Sequence, residues 1–333
     1  METEFSSFFK YCSDNEKVIN GIFRDNKIRF TQPAALNDPL EFNPTLKFSN
    51  PEYAHQLFEL DGIKFPSLEQ VYRVQIIESQ INAFGILSLT KKPFSFDMWA
   101  RYANGHKGFV LELKSDFYKH PCMKSRDGLE YPVREVEYDD EYILEIEKFV
   151  DETGTISLNV LQDEFFFKKT SRWVDENEYR MIRPFIDLPG YGPKENRTHR
   201  DDEIYPFEFS LDCVSSVIFG AYMSNDKKKQ IVDACQHYSI EFYQAFIIRD
   251  QKDEFDKPSR ILSIPIVKLV ESIDELFERG IHSFITDTDN INRQKTLKIR
   301  EPDELPYDPD YVDNIIEYYK NRTSNKKMHK GKA

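Results

Sequence analysis

The sequence predicts an α+β fold: a mixed, mostly antiparallel sheet core with flanking helices and a C-terminal extension. Three observations carry this. Strand-like and helix-like segments follow one another without the regular alternation of a doubly wound protein. Runs such as Phe84-Gly85-Ile86-Leu87-Ser88-Leu89-Thr90 are apolar enough for a core strand. The aromatic load, 27 Phe and 18 Tyr against 12 Gly, buries enough area to offset chain entropy, which excludes wholesale disorder. At 333 residues the chain suits one large domain or two small ones.

The elements follow in order. Asp14 can cap a helix from Asn15 to Phe23, where Val18, Ile19, Ile22 and Phe23 recur at helical spacing. Lys27 to Thr31 alternates polar and apolar residues, as a half-buried strand does. Two prolines and an Asn-Asp pair make 32–41 an ordered turn. Residues 67–83 read as a helix capped by Ser67, with Val71, Val74, Ile77 and Ile81 buried. The core strand 84–90 follows, then a short helix through Met98–Ala103 with Asp97 as cap, a Gly-flanked turn at 104–108, and a strand at 109–113. Val133–Tyr138 reads as a strand, 139–151 and Leu158–Lys169 as helices, and Trp173 with Glu178–Ile182 as a turn entering a strand. Residues 187–204 form a polar loop; 204–209, 214–220 and 240–248 are strands, with a helix at 225–238 between the last two. Ile261–Val270 suits a strand or a helix, and 273–279 and 308–320 suit short helices. The organisation expected is a core over 1–250, an extension over 251–319, and a basic flexible tail over 320–333.

Charge and cysteine content narrow the function classes. A formal charge of −13 repels a phosphate backbone, which argues against nucleic-acid binding except through the lysine-rich tail. No apolar run reaches the roughly 18 residues of a membrane helix. The acidic start is unlike a secretory signal, so a cytoplasmic protein is expected. Cys12, Cys122, Cys213 and Cys235 lie far apart and suit reduced thiols better than a zinc site or a disulfide framework, and no metal is expected.

The phosphate-cradling glycine loops, the Gly-x-Ser-x-Gly elbow and His-Glu-x-x-His are all missing. What remains is a set of quieter clusters: Lys10-Tyr11, Asn37-Asp38-Pro39-Leu40-Glu41, Met98-Trp99 with Tyr102-Ala103 and His106-Lys107-Gly108, and Lys168, Trp173 and Glu178-Tyr179-Arg180. In this order, over roughly residues 7 to 245, they resemble a bacterial family catalogued as a domain of unknown function, number 2971. That resemblance implies no activity, so the residues are read physically.

Asn37 and Asp38 can fold back onto backbone N–H groups and fix a turn, or that turn can present Asp38 or Glu41 to a ligand. Trp99 and Tyr102 share a helix face, as core or as a stacking surface for a base or nicotinamide. His106 sits in a turn where side chains point into clefts, with a pKa suited to acid–base work or phosphate contact; it can equally bond its own turn. Glu178 and Arg180 alternate on a strand and face the same way, as a structural pair or as a catalytic carboxylate with its neighbour.

A second resemblance is to the ADP-ribosyltransferase fold, carried by Lys10-Tyr11 near the start, a strand ending in Phe30-Thr31, an aromatic middle, and the late Glu178. It implies NAD as cofactor, with Glu178 as catalytic carboxylate. Lys10, Tyr11, Trp99, Tyr102 and His106 would shape the nucleotide and nicotinamide pocket, Asn37 and Asp38 would contribute ligand contacts, and Lys168 and Arg180 would meet phosphate. Such a protein would be a toxin or phage-defence effector. The alternatives are a nucleotide or small-signal sensor without chemistry, a protein-interaction module, and a metal-dependent nuclease built on Asp38, Glu41, Glu178 and Lys168.

Overall fold

The computed structural model describes residues 7–38, 41–42, 45–47, 58–60, 63–65, 81–140, 143–145, 148, 165–189, 204–248, 260–265 and 284–285. Of the helix expected at 67–83, residues 67–80 lie outside them and Ile81–Ala83 forms a 3-10 turn; the helices expected at 273–279 and 308–320, most of the loop 187–204, and the basic tail also lie outside.

The chain opens with β1 (Phe8–Cys12) and α1 (Glu16–Phe23). The cap of α1 is Asn15, whose side chain accepts the Lys17 N–H at 2.8 Å, and not Asp14. Asp14 is drawn elsewhere, accepting from Asn104 Nδ2 at 2.7 Å and Lys227 Nζ at 2.5 Å. β2 (Lys27–Phe30) follows as expected, then the short strands β3 (Thr45–Lys47), β4 (Phe58–Leu60) and β5 (Ile63–Phe65). β6 (Phe84–Thr90) is the predicted core strand. The next helix, α2 (Phe96–Tyr102), starts earlier than expected because Ser95 caps it through the Met98 N–H, leaving Asp97 in its first turn.

β7 (Phe109–Leu113) precedes a region where the helical readings fail. The expected strand 133–138 is two short pieces, β8 (Arg134–Glu135) and β9 (Glu137–Tyr138). Within the helix expected at 139–151, residues 143–145 form β10 (Ile143–Glu145), paired in parallel with β3. The second expected helix ends with Phe165 and Phe166 helical, but Lys168–Lys169 forms β11, parallel to β9. Strand pairing with a neighbour overrides local helix propensity at both places.

β12 (Glu178–Pro184), β13 (Tyr205–Glu208) and β14 (Val214–Phe219) match expectation. The helix after them, α3 (Asn225–Ala234), is shorter than expected and leads to β15 (Glu241–Ile248). β16 (Arg260–Pro265) resolves the strand-or-helix alternative in favour of a strand, and β17 (Phe284–Ile285) is the last element described. The fold is α+β with a mixed, mostly antiparallel sheet.

Two compact units interleave along the chain: unit 1 takes the described residues within 1–27, 90–117 and 209–333, and unit 2 those within 28–89 and 118–208. In unit 1 the sheet runs β16-β15-β14-β7-β1. β1/β7, β7/β14 and β15/β16 are antiparallel, while β14/β15 and β15/β17 are parallel. The boundary expected at residue 250 therefore falls inside this sheet. Phe109, Val110, Leu111 and Leu113 of β7 are all fully buried at its centre. In unit 2, β6, β12 and β8 lie side by side, and β13 pairs with β2. Among the described residues no helix is long and apolar enough to cross a membrane.

Lys228 on α3 is buried, and its ammonium donates to Gln244 Oε1 at 2.7 Å. Burial pulls its pKa down from 10.5 to about 8. Above that value the unfolded chain holds the proton longer than the native one, so native stability rises with pH through this group. We expect the stability of the parent relative to Lys228→Met to grow by about 1 kcal/mol per pH unit just above pH 8, measured by urea unfolding of both proteins. A constant difference between the two would remove the buried ammonium from the argument.

Candidate functional site

In unit 2 the charged residues converge on one buried cluster. β11 leads through a tight 3-10 turn (Ser171–Glu176) into Asn177, whose φ of 44° allows the chain to double back into β12. Strand alternation then aims Glu178 and Arg180 to the same side. It is Lys169 that meets them, while Lys168 is half-buried on β11. Lys169 Nζ donates to Glu176 Oε2 at 2.9 Å and Glu178 Oε2 at 2.8 Å. Arg180, with no exposed surface, donates to both Glu178 oxygens at 2.8 and 3.0 Å and to the Phe166 carbonyl at 2.7 Å. It also pairs with Glu41, whose second oxygen lies 3.9 Å from Lys169 Nζ.

The surround is aromatic. The Trp173 ring lies 5.1 Å from Lys169 Nζ, and its indole N–H donates to Asp38 Oδ2 at 2.7 Å. The Phe42 ring lies 5.6 Å from the Arg180 guanidinium. The Tyr138 hydroxyl accepts the Glu178 backbone N–H at 2.8 Å. Three carboxylates thus face two cations. Burial raises the Glu178 pKa against the opposing pull of Lys169 and Ser88. For Lys169, burial works downward but Glu178 and Glu176 outweigh it, and its pKa rises. Burial brings Arg180 down to about 9, so it stays charged at neutral pH. Glu178 is 5% exposed and Arg180 spends its guanidinium inside this network, so neither presents a free charge to phosphate.

Unit 1 holds the other half of the predicted residues. Tyr11 donates its hydroxyl to the Lys92 carbonyl at 2.8 Å and meets Trp99 edge-on at 5.5 Å. Trp99 is fully buried, with its indole N–H on the Pro93 carbonyl at 2.8 Å. Tyr102 packs half-buried against this cluster, and Lys10, also half-buried, lies opposite Leu111 in the sheet. The turn after α2 puts Asn104, Gly105 and His106 in the left-handed region, at φ 47°, 61° and 64°. Its backbone is clamped: the His106 N–H donates to the Trp99 carbonyl, and the His106 carbonyl accepts from Tyr222 N–H at 2.9 Å.

This clamp turns the His106 imidazole inward, where it is 5% exposed among Phe96 at 4.6 Å, Trp99 at 6.3 Å and nearly parallel, and Tyr222 at 6.1 Å. Burial lowers its pKa below 6.5, leaving it neutral at pH 7. Neither Nδ1 nor Nε2 has a hydrogen-bond partner among the described residues.

The predicted set therefore divides. Glu178, Arg180, Asn37, Asp38 and Lys168 belong to unit 2; Lys10, Tyr11, Trp99, Tyr102 and His106 belong to unit 1. The structure brings Glu178 and Arg180 together, and likewise Tyr11, Trp99 and His106. Asp38 serves Trp173, and Asn37 is exposed. The helix expected at 158–169 hides Lys169; strand alternation from Lys168 points to it.

Residues 98–181 match the family model described as Protein of unknown function (DUF2971). The matched stretch contains α2 from Met98 onward, the His106 turn, Lys169 and Glu178–Arg180. It is shorter than the span over which the sequence motifs suggested the resemblance. No curated protein and no solved structure matches the chain.

Proposed function

We propose that this protein binds a nucleotide through a planar heteroaromatic ring seated beside His106 in unit 1, with NAD as the ligand. One observation carries the reading: a buried, neutral imidazole ringed by aromatic side chains, with neither nitrogen partnered among the described residues. Leaving a buried polar atom unpaired costs about 1–3 kcal/mol, which a ligand amide or ring nitrogen would recover. Neutral imidazole offers one donor and one acceptor, matching the carboxamide of nicotinamide. Phe96, Trp99 and Tyr222 add faces and edges for stacking.

Calorimetric titration with NAD, nicotinamide and ADP-ribose tests it, beside His106→Asn, which tolerates the left-handed backbone. NAD and nicotinamide should bind, ADP-ribose more weakly, and the variant should lose about tenfold in affinity. Affinity should be level above pH 6.5 and fall below it, as the imidazole gains a proton. If neither NAD nor nicotinamide binds, the reading fails.

A second reading, separate from the ring site of unit 1, rests on unit 2 alone. Glu178 stands on β12 with both oxygens oriented by Lys169 and Arg180. Released from that network, the carboxylate could bond a ribose hydroxyl and stabilise an oxocarbenium-like transition state, as in ADP-ribosyl transfer or NAD cleavage. The setting of a toxin or phage-defence effector follows from that chemistry alone. Nicotinamide release by the parent and its loss in folded Glu178→Gln would support this reading; binding without release would favour the sensor. The metal-dependent nuclease alternative draws less support, because Lys169 and Arg180 hold the carboxylates that a divalent ion would need.

A further inference from the structure

We propose that Cys122, with His120 as its base, is a nucleophilic thiol of unit 2 that undergoes thiol–disulfide exchange with small disulfides. The pair is built into the 3-10 turn Pro121–Met123. His120 caps this turn, its Nδ1 accepting the Cys122 backbone N–H at 3.4 Å. Accepting that bond gives Nδ1 the lone pair of the neutral ring and leaves the proton on Nε2. The same Nδ1 lies 3.0 Å from Cys122 Sγ, within reach of the thiol proton.

A cation adds to the arrangement. Arg183 Nη1 donates to the Cys122 carbonyl at 3.3 Å and Nη2 to the Lys124 carbonyl at 2.9 Å. Its charge lies within electrostatic reach of Cys122. The guanidinium also pairs with Asp187 Oδ2 at 3.4 Å, and the share of its field that reaches Cys122 favours thiolate over thiol. The other three cysteines contrast with this one. Cys12, Cys213 and Cys235 are buried, and burial pushes the Cys12 and Cys235 thiols up to about 12. Of the four, Cys122 alone is only partly buried.

The step balances without a further oxidant. The Cys122 proton passes to His120 Nδ1, and the thiolate attacks one sulfur of the disulfide. A new S–S bond forms as the old one breaks, and the departing thiolate takes a proton from the imidazolium. One thiol and one disulfide give a mixed disulfide and a free small thiol.

The test is the rate of reaction of the full-length protein with 4,4′-dithiodipyridine from about pH 5.5 to about pH 9, with the modified residue located by peptide mass mapping. We expect Cys122 to react first, about tenfold faster at pH 7 than the same cysteine in guanidinium-denatured chain. Its pH profile should bend below the usual thiol value of about 8.5. His120→Asn keeps a capping oxygen; it should remove the rate advantage and move the bend upward. The proposal is overturned if another cysteine reacts first, if native Cys122 is no faster than denatured, or if His120→Asn leaves rate and profile unchanged. Should that variant not fold, the parent's pH profile decides the question alone.

Discussion

Arg180→Met should destabilise the protein by about 3–5 kcal/mol, the largest single loss expected in unit 2. The guanidinium is wholly buried and makes three hydrogen bonds, two to Glu178 and one to the Phe166 carbonyl, besides its ion pair with Glu41. Removing it leaves three buried carboxylates against Lys169 alone. Methionine fills part of the volume but supplies no donor, so the cost is mainly that of unpaired charge. Urea unfolding at neutral pH measures the loss. Adding Glu178→Gln removes one of the stranded charges, so the double variant should recover part of the stability. A single-variant loss below about 1 kcal/mol would mean that the carboxylates find water or protons at no cost.

Gly108→Ala should be comparably severe for a different reason. Gly108 closes the His106 turn at the entry to β7, donating to the Ala103 carbonyl at 2.8 Å and accepting from Gly220 N–H at 2.9 Å. A methyl group there would land on the Cys12 carbonyl oxygen and sit 3.0 Å from the Ala103 Cα and carbonyl. Every obstacle is backbone, so no side chain can rotate out of the way. The turn would have to shift from β1, loosening the clamp on His106. We expect a loss of about 3 kcal/mol or more and a fall in Tm of roughly 4 °C or more. If Gly108→Ala keeps the parent's Tm yet abolishes NAD binding, the turn is pliable and only the ring's orientation depends on it. If both are unchanged, the backbone at Cys12 gives way to the methyl group at little cost.

The legible parts of this chain are those with a short-range physical signal. Lys27–Phe30 alternates, 84–90 is nearly continuously apolar, 109–113 is apolar but for Glu112, and Asn104-Gly105 marks a turn; each appears where expected. Asp14 and Asn15 are equally good caps by composition, and only the distant Lys227 and Asn104 decide between them. Residues 143–145 and 168–169 carry helix-compatible residues whose strand state depends on partners about a hundred and about thirty residues away in sequence. The candidate residues were legible as types in order, since Glu178 with Arg180 and Trp99 with His106 do meet. Their division between units was not, because no local pattern records which segments share a core. Glu41 and Lys169 joined the cluster for the same reason: a buried charge finds its counter-charge in space.

The interleaving of the units sets a timetable for synthesis. The N-terminal strand leaves the ribosome early, yet its sheet lacks β14 and β15 until residue 248 has been made. Unit 2, spanning 28–89 and 118–208, has all its segments translated by then. The unit begun first is thus finished last, after an interval on the order of tens of seconds at ordinary elongation rates. Throughout it, Phe9 and Tyr11 lack Ile218, Ala245 and Ile247, which share their core cluster. A nascent chain arrested before residue 214 would therefore carry an incomplete unit 1 and engage holdase chaperones, and one released with β17 made would not.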